Sequence, residues 1–536
     1  MLFNSLTFIL LFLPTALIVY YGFALLDHRC ARLWLVAVSI LFYAWWTTSL
    51  VLLLCGSVAF NFLGGFLILR AQGRGTLQNV LLTFAICGNL FLLFYYKYFF
   101  GLLNWLGFHG LIHLSHPYNM ILPLGISFFT FTQIGYLIDC RGGVVTSNRL
   151  LDYCLFVTFF PHLIAGPILH HREMMPQFAD PTTYRFRWEN LAVGTTLFVI
   201  GLAKKVVFAD QLSPAAGDAF GNADGLPFFA AWDGILCYSL QLYFDFSGYS
   251  DMAIGLALLF GLRFPANFNS PYRAASIIDF WQRWHMTLTR YLTLYLYTPM
   301  ALAVSRWRMA HGKSVSRRAI STPGGFLSLI AFPTLFTMIL AGVWHGAGLQ
   351  FLIFGLLHGI YIIINHAWRS FGPRLSKNPL PRVFRLASDL GKIGLTYFAV
   401  LVAQVFFRAS SVHDAITFLR GMGGSYGLFS QSAPSQTLPS NASGSFLHFL
   451  HESGLHGAGI LHVAFVCSLF IIIWIMPNSL QMLSRYQPTL SALPSTTSLV
   501  TLEWRPNLAW AVAFGLVATI ALLEVTGTTE FLYFRF

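Results

Sequence analysis

The sequence predicts an all-α integral membrane protein, and three observations carry that prediction. Of the 536 residues, 56% are hydrophobic and only 10% are charged, with a mean hydropathy of +0.66, a balance foreign to soluble domains. Apolar stretches near the length that crosses a bilayer recur along the whole chain. The net charge of +13 arises from Lys and Arg gathered in short connections between those stretches. That distribution orients a membrane protein and contacts lipid headgroups, so nucleic acid is not an expected partner.

About twelve spans are expected, with re-entrant and amphipathic helices between them. The first five lie near 5–25, 33–46, 50–69, 78–98 and 119–138. The start, Met1 to Ser5, has no basic residue before the first span, which predicts a retained helix rather than a cleaved signal. Arg29 and Arg32, Arg70 and Arg74, and Arg141 and Arg149 fall on one side if the N-terminus is external. The segment 150–169 is broken by Pro161, Gly166 and Pro167 and ends in His170-His171, so it reads as a re-entrant element buried in protein.

A span near 190–208 ends at Lys204-Lys205, ahead of an expected external loop with Asp210, Asp218 and Asp224. The stretch 226–262 is too long for one ordinary span, and the polar run Phe244 to Asp251 is expected to interrupt it. From 263 to 300, mixed aromatic and basic residues suggest amphipathic helices at the cytoplasmic surface. The basic connections 303–318 and 369–392 are expected inside, bracketing spans near 323–341 and 349–366. Spans near 390–407, 458–477 and 506–525 complete the chain, with 409–457 expected outside and both termini external. The expected division is N-terminal helices at 1–118, a core at 119–407, and a C-terminal loop, helices and aromatic tail at 408–536.

Two Trp-His pairs stand out. His345 follows Trp344 between two spans, and His285 follows Trp284 in a basic stretch. An imidazole at membrane depth needs a polar partner or a water-filled cavity, although either pair also suits an interfacial anchor. The glycines around His345 permit a close approach to the backbone. Asp245, Ser247, Tyr249 and Asp251 read as a hydrogen-bonded network closing a helix break, with tunnel lining as the functional alternative. Asn267 and Asn269 read as helix caps or as donor contacts. The seven cysteines are scattered, and His162, His170 and His171 lack a ligand-like spacing, so no metal is expected.

Six segments, in order, resemble the membrane-bound O-acyltransferase family, in its bacterial alginate O-acetylation subgroup. They are Pro123 to Phe131, Phe159 to Ile168, Asp245 to Met252, Asn267 to Tyr272, Phe280 to His285, and Trp344 to Gly346. Gln282 and Thr287 stand where the usual pattern has an arginine and a serine. The resemblance implies a funnel of tilted helices around a thin wall, with His345 as the catalytic histidine and His285 as a second one. The latter would polarise a thioester carbonyl or hold the donor. Trp344, Trp284, Asp245, Ser247, Tyr249 and Asn269 become candidates for lining the tunnel or holding the donor.

The implied activity is O-acetylation of an extracytoplasmic polysaccharide (alginate, cellulose, another exopolysaccharide or peptidoglycan) from the bacterial cytoplasmic (inner) membrane. Acetyl-CoA would be a substrate, no cofactor would be bound, and a separate SGNH-like periplasmic acetyltransferase would complete the transfer. The alternatives are D-alanyl transfer to teichoic acid and a proton-coupled transporter. The tail Phe531 to Phe536 has four aromatics in six residues. It reads as an interfacial or partner-docking anchor, or as a segment folding back so that Tyr533 relays the acyl group.

Overall fold

The computed structural model of the protein describes residues 1–108, 122–145, 148–372, 382–428, 458–491, 500–525 and 531–532. Among the described residues the fold is helical, with one isolated bridge between Phe264 and Thr489. The long helices are α1 (Phe8–Leu26), α2 (Thr48–Arg70), α3 (Gly75–Asn104), α4 (Trp188–Gly221), α5 (Phe228–Leu259), α6 (Pro323–His345), α7 (Leu349–Phe371), α8 (Leu386–Arg408), α9 (Ala458–Ile475) and α10 (Leu508–Leu523).

Seven of these, all but α5, α9 and α10, are long and apolar enough to cross a membrane. The spans expected near 33–46 and 119–138 form the helices His28–Ala44 and Ile126–Arg141, shorter than that class.

Contacts sort the connections onto two faces. On one, Arg32 pairs with Asp152, and Arg141 Nε donates to Asn79 at 2.9 Å. There too, the hydroxyls of Tyr20 and Tyr21 donate to the carbonyls of Phe260 and Leu259, satisfying acceptors that the end of α5 leaves open. On the other, Gln350 reaches the Ser410 carbonyl and the Phe228 amide reaches Gly427.

The centre is the pair α4 and α5, packed at backbone distance. Gly194 and Gly201, seven residues apart, oppose Gly255 and Gly248. A methyl group on Gly201 would lie 2.5 Å from the Gly248 carbonyl oxygen, and one on Gly255 2.5 Å from that of Gly194. Lipid gives apolar helices no hydrophobic reason to associate, so close contact through small residues does that work.

Four expectations change. The acidic segment after Lys205 is not a loop, because α4 continues through a π turn at Lys204–Ala209 to Gly221. The run Phe244 to Asp251 does not interrupt α5, which is one 32-residue helix. Its carboxylates are neutralised from outside: Lys204 binds Asp251 at 2.6 Å and Lys205 binds Asp245 at 2.7 Å. The stretch from 264 to 272 is not at the surface but crosses the interior, with every residue buried. The basic connection begins after a helix that ends at Ala310 rather than at 303. By contrast, 150–169 is broken as expected, into Leu150–Thr158 and Phe160–Leu163 followed by non-helical chain that is buried throughout.

Candidate active site

His345 is the last residue of α6, and α7 begins at Leu349. The two helices leave the intervening turn in backbone contact, since a methyl group on Gly342 would lie 2.4 Å from the Phe351 carbonyl oxygen. What approaches these glycines is therefore the chain's own return helix. The last carbonyls of α6 have no partners within the helix. Tyr98 donates to Val343 O at 2.6 Å, and Lys97 donates to Trp344 O. An ammonium at a helix C-terminus also complements its dipole. The imidazole is buried, with its ring edge-on to Phe407 and Phe354.

His345 stands in the wall between two cavities. One is lined by Lys97, Ser127, Phe128, Trp344 and His345. The other is lined by His285, His345, His358, Trp284 and Gln404 among others. The structure thus brings His345, His285 and both tryptophans together. Trp344 stacks on Phe131 at 4.9 Å between ring centres, and Trp284 stacks on Phe280 at 5.7 Å.

His285 precedes the helix Met286–Leu292 with φ of +43°. A side chain in the left-handed region costs about 1–3 kcal/mol and persists only where its surroundings hold it. Asn267 does so from the interior strand-like stretch. Its Oδ1 lies 3.0 Å from His285 Nδ1 and accepts from Thr287 Oγ1 at 2.8 Å, while its Nδ2 donates to Ser250 at 3.0 Å. An amide oxygen only accepts, so Nδ1 of His285 carries the proton and Nε2 is an acceptor. That tautomer suits holding an N–H of a donor, and does not suit donating to a carbonyl.

His358, which the sequence reading did not single out, is the complement. Trp281 Nε1 donates to its Nδ1 at 3.3 Å, which leaves the proton on Nε2. Asn267 Oδ1 also accepts from the Thr287 amide at 3.4 Å, in the first turn of the helix Met286–Leu292, so the same side chain caps that helix, as expected, and orients His285. We predict that Asn267→Ala lowers turnover about 10²-fold, the cost of a small misplacement of a reacting group. Asn267→Asp, which keeps an acceptor, should recover part of it; equal rates in wild type and Asn267→Ala would remove the positioning role.

The other expected site residues sit apart from the cavities. Asn269 Oδ1 accepts from Asn478, tying the interior stretch to the loop after α9. Ser247 is buried within α5. Tyr249 lies between Phe3, stacked at 5.0 Å, and Phe531, edge-on at 4.9 Å. Asp245 accepts from Lys205, which also binds Asp210 at 2.8 Å, and its Oδ2 accepts from the Leu532 amide at 3.0 Å. The Lys205 ammonium sits 4.7 Å from the Phe531 ring centre. Tyr533 lies outside the described residues. Among the three other histidines, His162 Nε2 meets the Phe156 carbonyl, His170 meets Tyr295, and His171 packs on Tyr136.

Residues 142–313 match the membrane-bound O-acyltransferase family, a span that includes His285 but not His345. The chain is 38% identical over 462 residues to the peptidoglycan O-acetyltransferase of Helicobacter pylori, covering 80% of this chain and 81% of that one. It is 37% identical over 423 residues to the probable alginate O-acetylase AlgI of Pseudomonas aeruginosa, covering 77% and 73%. Similarity to the teichoic acid D-alanyltransferase of Bacillus subtilis is 30% over 257 residues, covering 46% and 61%.

Proposed function

From the premise that this chain belongs to the membrane-bound O-acyltransferase family and is an acyltransferase, we propose that it moves acetyl groups from cytoplasmic acetyl-CoA to an extracytoplasmic polysaccharide. The observation that carries this reading is the place of His345 between two cavities. A base in a shared wall can meet a donor from one side and an acceptor from the other while the membrane stays sealed.

In this reading His345 removes the proton of the attacking hydroxyl, and the hydroxyl oxygen bonds to the thioester carbonyl carbon. The C–S bond then breaks and the proton leaves with the coenzyme thiol. His285, an acceptor at Nε2, holds an amide N–H of the coenzyme arm. His358, a donor at Nε2, stabilises the developing oxyanion. No cofactor is required for these steps.

The relatives named for peptidoglycan and alginate support a polysaccharide acceptor. The D-alanyltransferase likeness is weaker, reaching less than half of this chain in one such enzyme and only 24% identity in another, which favours an O-acetyl acceptor over teichoic acid. The shared face of the Arg32 and Arg141 connections supports that face being cytoplasmic. In this reading the enzyme sits in the bacterial inner membrane with both termini external, and an SGNH-like periplasmic transferase takes the acetyl group onward.

The test is transfer across a sealed vesicle. With purified protein in liposomes, labelled acetyl-CoA outside, and a polysaccharide with the partner transferase inside, label should accumulate on the polymer while free coenzyme stays outside. Entry of intact acetyl-CoA, or no consumption of it, would overturn the proposal.

A further inference from the structure

Among the described residues, a chemically loaded cluster apart from the Lys205 face of α5 and from the cavities lies toward the start of that helix. Asp233 and Cys237 are four residues apart on α5, hence on one face. His462, from the start of α9, meets them there. Its Nε2 lies 2.9 and 3.1 Å from the two Asp233 oxygens, and 3.6 Å from Cys237 Sγ. The sulfur is 3.7 Å from Asp233 Oδ1, and one ligand atom from each residue falls within 4.8 Å of the others.

Two chemistries use a thiol, an imidazole and a carboxylate. In a nucleophilic triad the imidazole bridges, one nitrogen to the thiol and the other to the acid. Here the sulfur and the carboxylate both face the same nitrogen, Nε2, so no proton relay runs through the ring. Convergence on one point is the geometry of a metal site. Tetrahedral zinc, with Zn–S of about 2.3 Å and Zn–N and Zn–O of about 2.0–2.1 Å, needs its sulfur about 3.6 Å from the other ligand atoms. Cys237 meets both separations within 0.1 Å, while Nε2 and Oδ1, at hydrogen-bond distance of 2.9 Å, would open to about 3.3 Å around the ion.

We propose that Asp233, Cys237 and His462 form a divalent-metal site of the thiolate–imidazole–carboxylate class that zinc fills, pinning α9 to α5. The donor set suits zinc or cobalt(II) and disfavours magnesium and calcium, which take oxygen ligands. Thiolate and carboxylate together neutralise a dipositive ion. Cys237 is fully buried, whereas the side chains of Asp233 and His462 are 42% and 33% exposed, which leaves a path for the ion from water. The site fixes the first turns of α9, which begins at Ala458. The scattered cysteine spacing hid it, because one ligand comes from a helix 225 residues away.

The experiment uses the full chain purified in detergent, stripped with chelator and titrated with cobalt(II). One equivalent should produce a thiolate-to-cobalt charge-transfer band, and zinc should abolish the band by displacement. Zinc should also raise the thermal unfolding midpoint of the wild type. Cys237→Ser, nearly isosteric, should lose the band although six cysteines remain. His462→Gln, a second and independent variant, should weaken cobalt binding by more than about 100-fold, since even changes outside the ligand shell cost 10–100-fold. Absence of the band in the wild type, or its persistence in either folded variant, overturns the site.

Discussion

In His345→Ala, acetyl transfer should fall by about 10²–10⁴-fold, the usual contribution of a positioned general base, with protein yield and helicity close to wild type. The structure explains why the fold should survive. Lys97 and Tyr98 hold the end of α6 through the carbonyls of Trp344 and Val343, which alanine at 345 leaves in place. The α6–α7 turn is set by Gly342 and Gly355 at backbone distance, not by the imidazole. The lost ring borders existing cavities, so the truncation enlarges a space rather than emptying a packed core. His345→Gln, which restores some volume and one polar atom, should be no better, because an amide cannot take a proton at neutral pH. Full turnover in either variant would sink the assignment of the base. His285→Ala should act differently, raising KM for the donor more than it lowers kcat, because its acceptor nitrogen is assigned to holding and not to proton transfer.

Those roles show what the sequence discloses and what it hides. His285 and His345 were readable because each sits after a tryptophan in a short motif, and the shared cavity joins them across sixty residues. The broken element at 150–169 was readable because proline and glycine act locally. The continuity of α5 was not. Asp245 and Asp251 in an apolar run look like an interruption until Lys205 and Lys204 are seen to neutralise them, and those lysines looked like the end of a span for the same reason. The two surprises are the two halves of the same pair of ion pairs. Asparagine favours caps, and Asn267 does accept from a first-turn amide of the helix Met286–Leu292; its added bond to a histidine 18 residues on is not legible from spacing. His358 gave no signal at all, being a lone histidine in an apolar helix whose partner Trp281 lies 77 residues earlier.

The chain end carries the second large effect. If Tyr533 takes the acetyl group before the partner does, Tyr533→Phe should reduce polymer acetylation to background while protein level and fold hold. The step balances: the phenol oxygen bonds to the thioester carbonyl carbon, the coenzyme leaves as a thiol, and an aryl acetate remains. A second hydroxyl then attacks that ester and returns the phenol. Support comes from the residues just before it. Phe531 is fully buried, and the Leu532 amide donates to Asp245, so these two residues sit against α5 inside the bundle. Asp245 lies on the same stretch of α5 as Leu242 and Phe246, which line the cavity of His285 and His345. The choice of variant matters. Asp245→Asn or Lys205→Met would strand one half of a buried ion pair, at a cost of about 3–5 kcal/mol, and would confuse misfolding with lost chemistry. Tyr533→Phe removes one hydroxyl and keeps the ring. The readout is polymer O-acetyl content, together with trapping of a tyrosine-linked acetyl group by mass spectrometry after brief exposure to acetyl-CoA. Loss of both signals in the variant supports the relay. Normal polymer acetylation in Tyr533→Phe eliminates it and leaves the tail as an anchor, held by Lys205 and Asp245 for a structural purpose.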